Sequence, residues 1–180
     1  MIAPIPFLVG AGPLPDARMR AGCLLLASAW GVELSHHRCS ENPHQVLGLL
    51  PAEGGMVQLS GDPAMFHPDG GSWLEALGAW RQPTILLVSP LPSGEIPGVA
   101  PAYVALCAAL NVPLIGVLQL GGPWDLSLRR SDGLPWFGLL PDDPSALSAV
   151  PNGGGLQQGP SLEEVVVQLR RRLLLSSDSD

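Results

Sequence analysis

Short apolar runs bounded by glycine and proline recur along the chain and predict buried strands. The clearest runs lie at residues 5–9, 84–88, 113–120 and 136–141. Residues 84–88 (TILLV) are apolar and β-branched without polar alternation, which is typical of a strand buried on both faces of a parallel sheet. Weaker runs, interpreted as further short strands, lie at residues 32–35, 46–50 and 56–59.

Segments with apolar residues at helical spacing lie between these runs. Helices are expected at residues 17–31, 72–80 and 99–110. Asp16 is expected to cap the first of them. Ser161 and Glu164 have capping-box spacing, and they begin an apolar stripe that predicts a last helix as far as Leu173. Arg170–Arg172 are interpreted as solvent-facing residues that complement the negative end of its dipole.

Strands that alternate with helices predict an α/β fold of three layers, α/β/α, in which helices cover both faces of a mainly parallel sheet. A length of 180 residues is sufficient for one core. We expect one domain over residues 1–151 and a glycine-rich flexible linker over 152–160. A C-terminal helix at 161–175 is expected to pack on the same domain, before a frayed tail at 176–180.

The charge content excludes several classes of function. Charged residues make up 14% of the chain and hydrophobic residues 46%, so we expect a folded protein whose surface is partly covered by a second copy or a protein partner. The net charge is -7, and all nine basic residues are arginines. Nucleic acids and anionic membranes are therefore not expected partners, and Schiff-base chemistry is excluded by the absence of lysine.

Cysteine number and spacing indicate the compartment. Cys23, Cys39 and Cys107 are odd in number and widely spaced, and no signal-peptide pattern precedes them, which predicts a cytoplasmic protein without a disulfide framework. The uncharged stretch at 99–122 contains Pro113 and is interpreted as a helix followed by a buried strand, not as a membrane span.

The stretch FLVGAGPLPDARMR, residues 7–20, joins an apolar strand to a helix through a glycine turn. Such turns bind phosphates because backbone N–H groups of the turn and of the helix N-terminus point towards the anion. Gly10 and Gly12 would line a site of this kind. The sequence therefore contains a candidate nucleotide-binding turn.

The order of these elements resembles the dethiobiotin synthetase family of P-loop NTPases, most strongly over residues 50–141. The likeness lies in QPTILLVSPLPSGEIPGVAPAYVALCAALNVPLIGVLQL, in LPWFGLLP and in AEGGMVQL. The resemblance implies a nucleotide base beside Gln119 and Pro141, and Mg²⁺ held by Glu53. It also implies a dimer. Simpler interpretations are an exposed turn acid at Glu53 and strand-terminating roles for Gln119 and Pro141.

The phosphate turn departs from the pattern of that family. Pro13 and Pro15 lack N–H donors, Asp16 adds a negative charge, and Arg18 stands as the nearby cation in place of lysine. Loss of positioned charge commonly slows phosphoryl transfer by about a thousandfold or more. We therefore expect a non-catalytic binding or interaction protein without a cofactor. The alternative is an ATP- and Mg²⁺-dependent enzyme that closes the cyclic urea of dethiobiotin, with Arg18 replacing the lysine.

The segment HHRCSENPH contains the residue types that bind zinc. His36, His37, Cys39 and His44 could supply imidazole and thiolate ligands, although their spacing is irregular. The third hypothesis is therefore a metal-binding domain, and the simpler interpretation is a polar loop.

Overall fold

A computed structural model of the protein describes residues 6–50, 54–141 and 159–177. These residues form six strands and six helices. The strands are β1 (Phe7–Gly10), β2 (Leu34–Arg38), β3 (Met56–Ser60), β4 (Thr84–Val88), β5 (Leu114–Leu120) and β6 (Trp136–Leu140). The helices are α1 (Asp16–Trp30), α2 (Pro43–Leu49), α3 (Trp73–Ala79), α4 (Val99–Ala109), α5 (Leu126–Ser131) and α6 (Leu162–Ser177).

The strands form one parallel sheet with the order β2-β3-β1-β4-β5-β6. Successive side chains of a strand point to opposite faces, so Phe7 and Val9 join a core with α2, α3 and α4. Leu8 joins a second core with α1 and α6 on the other face. The predicted three-layer α/β fold is therefore confirmed.

The apolar runs predict the central strands well. β4 spans Thr84–Val88 as expected, and the uncharged stretch at 99–122 forms α4 followed by β5. No helix of the described segments is both long and apolar enough to cross a membrane. All three cysteines are buried and free of disulfide bonds.

Two predictions near the edge of the sheet are wrong. Residues 46–50 do not form a strand, because Asn42 accepts hydrogen bonds from His44 N (3.1 Å) and Gln45 N (3.2 Å) and begins α2. The second predicted strand is present with the wrong bounds: it is β2, which shares only residues 34 and 35 with the predicted run and includes both adjacent histidines, which were expected to lie in a loop. As the edge strand it pairs with β3 alone, so polar side chains remain partly exposed there.

The capping box of α6 is present as predicted: Ser161 N donates to Glu164 Oε2 (2.8 Å), and Glu164 N donates to Ser161 Oγ (3.3 Å). The helix packs its apolar face into the second core. It continues to Ser177, so Arg170–Arg172 lie before its last turn and the expected dipole role is wrong. Arg170 instead donates to the carbonyl of Trp30 and stacks on that indole. Residues 152–158 of the predicted linker and 178–180 of the tail lie outside the described residues.

The start of α1 also differs from its prediction. Asp16 is the first helical residue, and Pro15 precedes it as an N-cap without a side-chain hydrogen bond. Pro15 cannot cap with a side chain because it has no polar side-chain atom. The helix ends as expected at Gly31, which adopts a left-handed conformation with φ 73°.

Candidate functional site

The strand order places a topological switch point between β1 and β4, and the region beyond the carboxyl ends of these two strands is called the crevice here. These neighbouring strands are followed by helices on opposite faces of the sheet, α1 after β1 and α4 after β4. In open parallel sheets, ligands bind beyond the carboxyl ends of the strands at such a switch point. The glycine turn that follows β1 lies at this position.

The turn is tight, and its geometry requires both glycines. A Cβ atom at Gly10 would lie 2.6 Å from the carbonyl oxygen of Gly12, a distance that real Cβ atoms do not tolerate. Gly12 has φ 82°, in the left-handed region that favours glycine. Gly10 and Gly12 are therefore needed to form the turn, whether or not a ligand binds there.

The backbone donors of the turn are largely absent or already used. Pro13 and Pro15 have no N–H, and Ala11 donates to a carbonyl of β4 at 2.9 Å. The N–H of Gly12 faces the phenol oxygen of Tyr103 and favours its ionised form, which slightly offsets the rise in the pKa of that phenol. Three of the five residues from 11 to 15 therefore have no backbone donor available for a phosphate, and the Gly12 N–H faces a phenol of the protein itself.

Tyr103 links the turn to the end of β3. Its hydroxyl donates to Asp62 Oδ1, and the same carboxylate oxygen accepts from Ala64 N at 2.9 Å. Burial, and then the Asp62 carboxylate, raise the pKa of Tyr103 above its ordinary value, so the phenol stays protonated as a donor. Sequence reasoning missed both residues. The sequence signal that could have found Asp62 is its position after Gly61, directly beyond β3, at the same edge of the sheet as the glycine turn.

Arg18 lies at the switch point, where the resemblance would place the cation. Its Nη1 donates to Ser89 Oγ at 2.6 Å and so joins the first turn of α1 to the segment after β4. Asp16, two residues before Arg18, is exposed and lies at the positive N-terminal end of the helix. The crevice thus contains a guanidinium that is hydrogen-bonded within the protein and a neighbouring carboxylate.

Gln119 lies near the carboxyl end of β5, fully buried. Its Nε2 donates to the carbonyls of Gly121 (2.8 Å) and Pro123 (2.9 Å). Its Oε1 accepts from Arg129 Nε at 2.9 Å. Both ends of the amide therefore hold the loop after β5. Gln119 could pair with a nucleotide base only if these hydrogen bonds were broken.

The two remaining predicted positions are Pro141 and Glu53. Pro141 follows β6 at the same edge of the sheet and is half-buried. The backbone carbonyl of Leu140, just before it, accepts from Gly121 N at 2.7 Å. Glu53, the predicted Mg²⁺ ligand, lies outside the described residues, so the magnesium site stays a prediction.

The candidate zinc ligands have separate partners. His36 and His37 are adjacent in β2 and therefore point to opposite faces of the sheet. His36 Nε2 shares a hydrogen bond of 2.8 Å with Ser60 Oγ, and His37 Nδ1 lies 3.0 Å from Glu41 Oε2. His44 Nδ1 instead accepts a hydrogen bond of 3.0 Å from the indole N–H of Trp80, the residue that follows α3.

Cys39, the fourth candidate ligand, is a buried thiol. Burial, and then the negative charge of Asp62, raise its pKa to about 12, which disfavours the thiolate that zinc binds. Within residues 6–50, 54–141 and 159–177, no group of three histidine, cysteine or acidic residues is arranged to hold a metal ion. The structure therefore does not bring the four candidates together.

A cleft of about 630 Å³ lies away from the glycine turn, between β2 and α2. Glu33, His37 and Glu41 form polar parts of its lining, and Val46 and Met56 are among the apolar parts. Its chemistry does not match the phosphate-binding prediction, because the carboxylates would repel an anion. No nucleotide role is assigned to it.

Comparison with known proteins adds no family: the sequence matches no protein-family model, and no curated protein matches it. A proposal about function therefore depends on the geometry of the crevice.

Proposed function

We propose that the chain is a non-catalytic binding or interaction protein with a P-loop NTPase-like architecture, whose glycine turn retains few backbone donors for a phosphate. The observation that carries this proposal is the state of the turn. Pro13 and Pro15 have no N–H, the N–H of Ala11 is hydrogen-bonded to a carbonyl of β4, and the N–H of Gly12 faces the phenol of Tyr103. A triphosphate needs several convergent donors and a free cation, so this turn supports phosphate binding poorly.

Electrostatics support the same conclusion. A bound triphosphate would bring its negative charge close to Asp16 and Asp62, in a chain whose net charge is already -7. It would also have to replace the Ser89 hydroxyl as a partner of Arg18. Each of these changes opposes binding, and no lysine exists to compensate for them.

Exposed apolar side chains near this edge favour an interaction role. Phe66 and Met65, in the segment after β3, are 74% and 55% exposed. Leu91, in the segment between β4 and α4, and Val99, the first residue of α4, are also exposed. Apolar residues gathered at one edge of a domain favour contact with a protein, and a second copy of this chain is the partner that we propose.

One observation favours the alternative function, ATP- and Mg²⁺-dependent ring closure of the dethiobiotin synthetase type. Arg18 is the one basic side chain hydrogen-bonded across the described β1–β4 switch point, where a phosphate would lie. In this alternative its guanidinium exchanges Ser89 for a phosphate oxygen.

Calorimetric titration with ATP and Mg²⁺ separates the two functions. We expect no measurable binding by the natural protein at nucleotide concentrations up to about 1 mM, which corresponds to a binding free energy weaker than about -4 kcal/mol. Micromolar, Mg²⁺-dependent binding that weakens in Arg18→Ala would overturn the proposal. The matched control is Arg20→Ala, which removes an exposed arginine of the same helix.

Light scattering tests the interaction role. A dimer is expected, and Phe66→Ser is expected to shift the protein towards monomer because this side chain is largely exposed in the single chain. A monomer at high protein concentration would remove the proposed self-association. Leu174→Ser, at an exposed position on α6, is the control for a general change in surface hydrophobicity.

A further inference from the structure

A second cleft, of about 560 Å³, lies beside the edge strand β6, between α5 and α6. Its volume is in the range of small-molecule sites. Aromatic rings, guanidinium groups and an amide contribute to its lining through Trp124, Arg129, Arg130, Trp136, Pro160 and Gln168. No carboxylate belongs to the lining among the described residues.

Arg129 fixes the inner wall of this cleft. The guanidinium lies 5.9 Å from the ring centroid of Trp124 and 5.2 Å from that of Trp136, and the two indoles meet edge to face. Arg129 Nη2 donates to the carbonyl of Gly94 at 2.7 Å, and Nη1 lies 3.6 Å from Asp132. Stacking and hydrogen bonds therefore hold the aromatic wall in place before any ligand arrives.

The wall contains a buried donor without an acceptor. Trp124 is 8% exposed, and its Nε1 has no hydrogen-bond partner in the described structure. The Nε1 of Trp136, in contrast, donates to Asp132 at 2.7 Å. Leaving a buried N–H unpaired commonly costs about 1 to 3 kcal/mol, so an acceptor from a ligand would relieve an existing deficit.

The lining of the cleft is positive, although Asp132 and Asp125 both act on Arg129 from outside the lining. Arg129 is balanced by Asp132, but Arg130 is an exposed second guanidinium on the same cleft. Donors and cations without a lining carboxylate are complementary to an anion. Indole faces and the ring of Pro160 are complementary to a flat apolar body.

We propose that this cleft binds a planar aromatic carboxylate. The ring packs on the indole wall and Arg130 neutralises the carboxylate. The carboxylate accepts from the Trp124 N–H after a small rotation of the indole, because Nε1 is buried in this structure. This site lies at the β6 edge of the sheet and does not involve the glycine turn, so it stands or falls separately from the proposed function of the crevice.

The indole N–H resonances of ¹⁵N-labelled protein provide a direct test. The chain has five tryptophans, and the peak that is missing from the Trp124→Phe spectrum identifies Trp124. Titration with 2-naphthoate is expected to shift this peak and to saturate. The neutral isostere 2-naphthamide is expected to bind about tenfold more weakly or worse, because it lacks the charge that Arg130 neutralises.

Two variants complete the experiment. Arg130→Ala is expected to weaken 2-naphthoate binding by about tenfold, whereas Arg20→Ala, which removes an exposed arginine from α1, is expected to leave it unchanged. The proposal is overturned if 2-naphthoate does not shift the Trp124 peak of the folded protein. It is also overturned if the amide binds as tightly as the acid, or if both arginine variants bind 2-naphthoate equally well.

Discussion

Replacing Gln119 by leucine removes three hydrogen bonds from the end of β5 while it keeps a side chain of similar size. The two acceptors that lose their donor are the carbonyls of Gly121 and Pro123. The third bond is the one that Arg129 Nε donates to the amide oxygen, inside the protein. The substitution therefore asks whether Gln119 is a structural element of the loop after β5.

The expected cost follows from the burial of these groups. Gln119 is fully buried and Arg129 is 4% exposed, so water does not readily replace the lost partner of the guanidinium. A hydrogen bond to a charged group contributes about 1.5 to 3 kcal/mol, and each neutral one contributes about 1 kcal/mol. The greater hydrophobicity of leucine offsets part of this loss. We expect Gln119→Leu to lower the free energy of unfolding by about 3 kcal/mol.

Gln58 provides a matched control in β3. It is 1% exposed, its Nε2 donates to Ser60 Oγ at 3.2 Å, and its Oε1 has no partner in the described structure. Gln58→Leu makes the same chemical change but removes one long hydrogen bond together with a buried, unpaired carbonyl oxygen. Its effect on the free energy of unfolding is therefore expected to stay within about 1 kcal/mol of zero, or to be stabilising.

Urea denaturation followed by far-UV circular dichroism measures both changes. The slope of unfolding free energy against urea concentration is expected to stay constant, so that the shift in midpoint reports stability. In a thermal scan, about 3 kcal/mol corresponds to a decrease of roughly 6 to 12 °C in Tm for a domain of this size. Equal effects of the two substitutions, or an unchanged midpoint for Gln119→Leu, would refute the structural role of Gln119.

Three further predictions concern stability and reactivity. Tyr103→Phe is expected to destabilise the protein by about 1 to 2 kcal/mol in urea, because Asp62 loses a donor, and an unchanged midpoint would contradict the link. Burial would raise the pKa of Glu41, but hydrogen bonds from His37 and a backbone N–H outweigh it and lower this pKa. The ionised Glu41 therefore stabilises the fold above its unfolded pKa of about 4.3, and this stabilisation is lost as pH falls through the folded pKa. The free energies of unfolding of the natural protein and of Glu41→Gln are expected to converge as pH is lowered from 7 to 3. Thiol titration with Ellman's reagent is expected to be slow in the folded protein and complete in urea, because burial raises the pKa to about 12, 12 and 11 in Cys23, Cys39 and Cys107.

The sequence predicted the central part of the fold because burial dominates there. β4 is covered by helices on both faces, so its residues must be apolar throughout, and that run is visible without any other information. The edge strand β2 has no such constraint. Its polar residues His36 and His37 interrupt the apolar run, so the pattern did not predict that the strand extends over them. The sequence also contained evidence against the strand predicted at 46–50. Asn42 is a favourable N-cap residue, and Pro43 after it favours the first turn of a helix.

Side-chain pairs far apart in sequence account for most of what could not be predicted about the crevice. Pro13 and Pro15 show directly that two donors are missing, because proline lacks an N–H wherever it stands. Nothing in that segment indicates that the Gly12 N–H faces the phenol of Tyr103, or that Arg18 donates to Ser89, 71 positions later in the chain. Such pairs depend on the order of strands in the sheet, which places the segments after β1, β3 and β4 side by side.

The same dependence explains why Gln119 allows two interpretations in the sequence and only one set of contacts in the structure. A long amide near the end of a buried strand has the donors and the acceptor that either a ligand or a loop requires. Here Arg129 lies in α5, the helix that follows β5. Its contacts with the indoles of Trp124 and Trp136 hold the guanidinium opposite the amide oxygen of Gln119. Because the amide is thereby fixed towards its own loop, a ligand at this edge would have to compete with a buried cation for it. The indole N–H of Trp124, in the same cluster, has no such competitor in the described structure and is therefore the group better suited to a ligand.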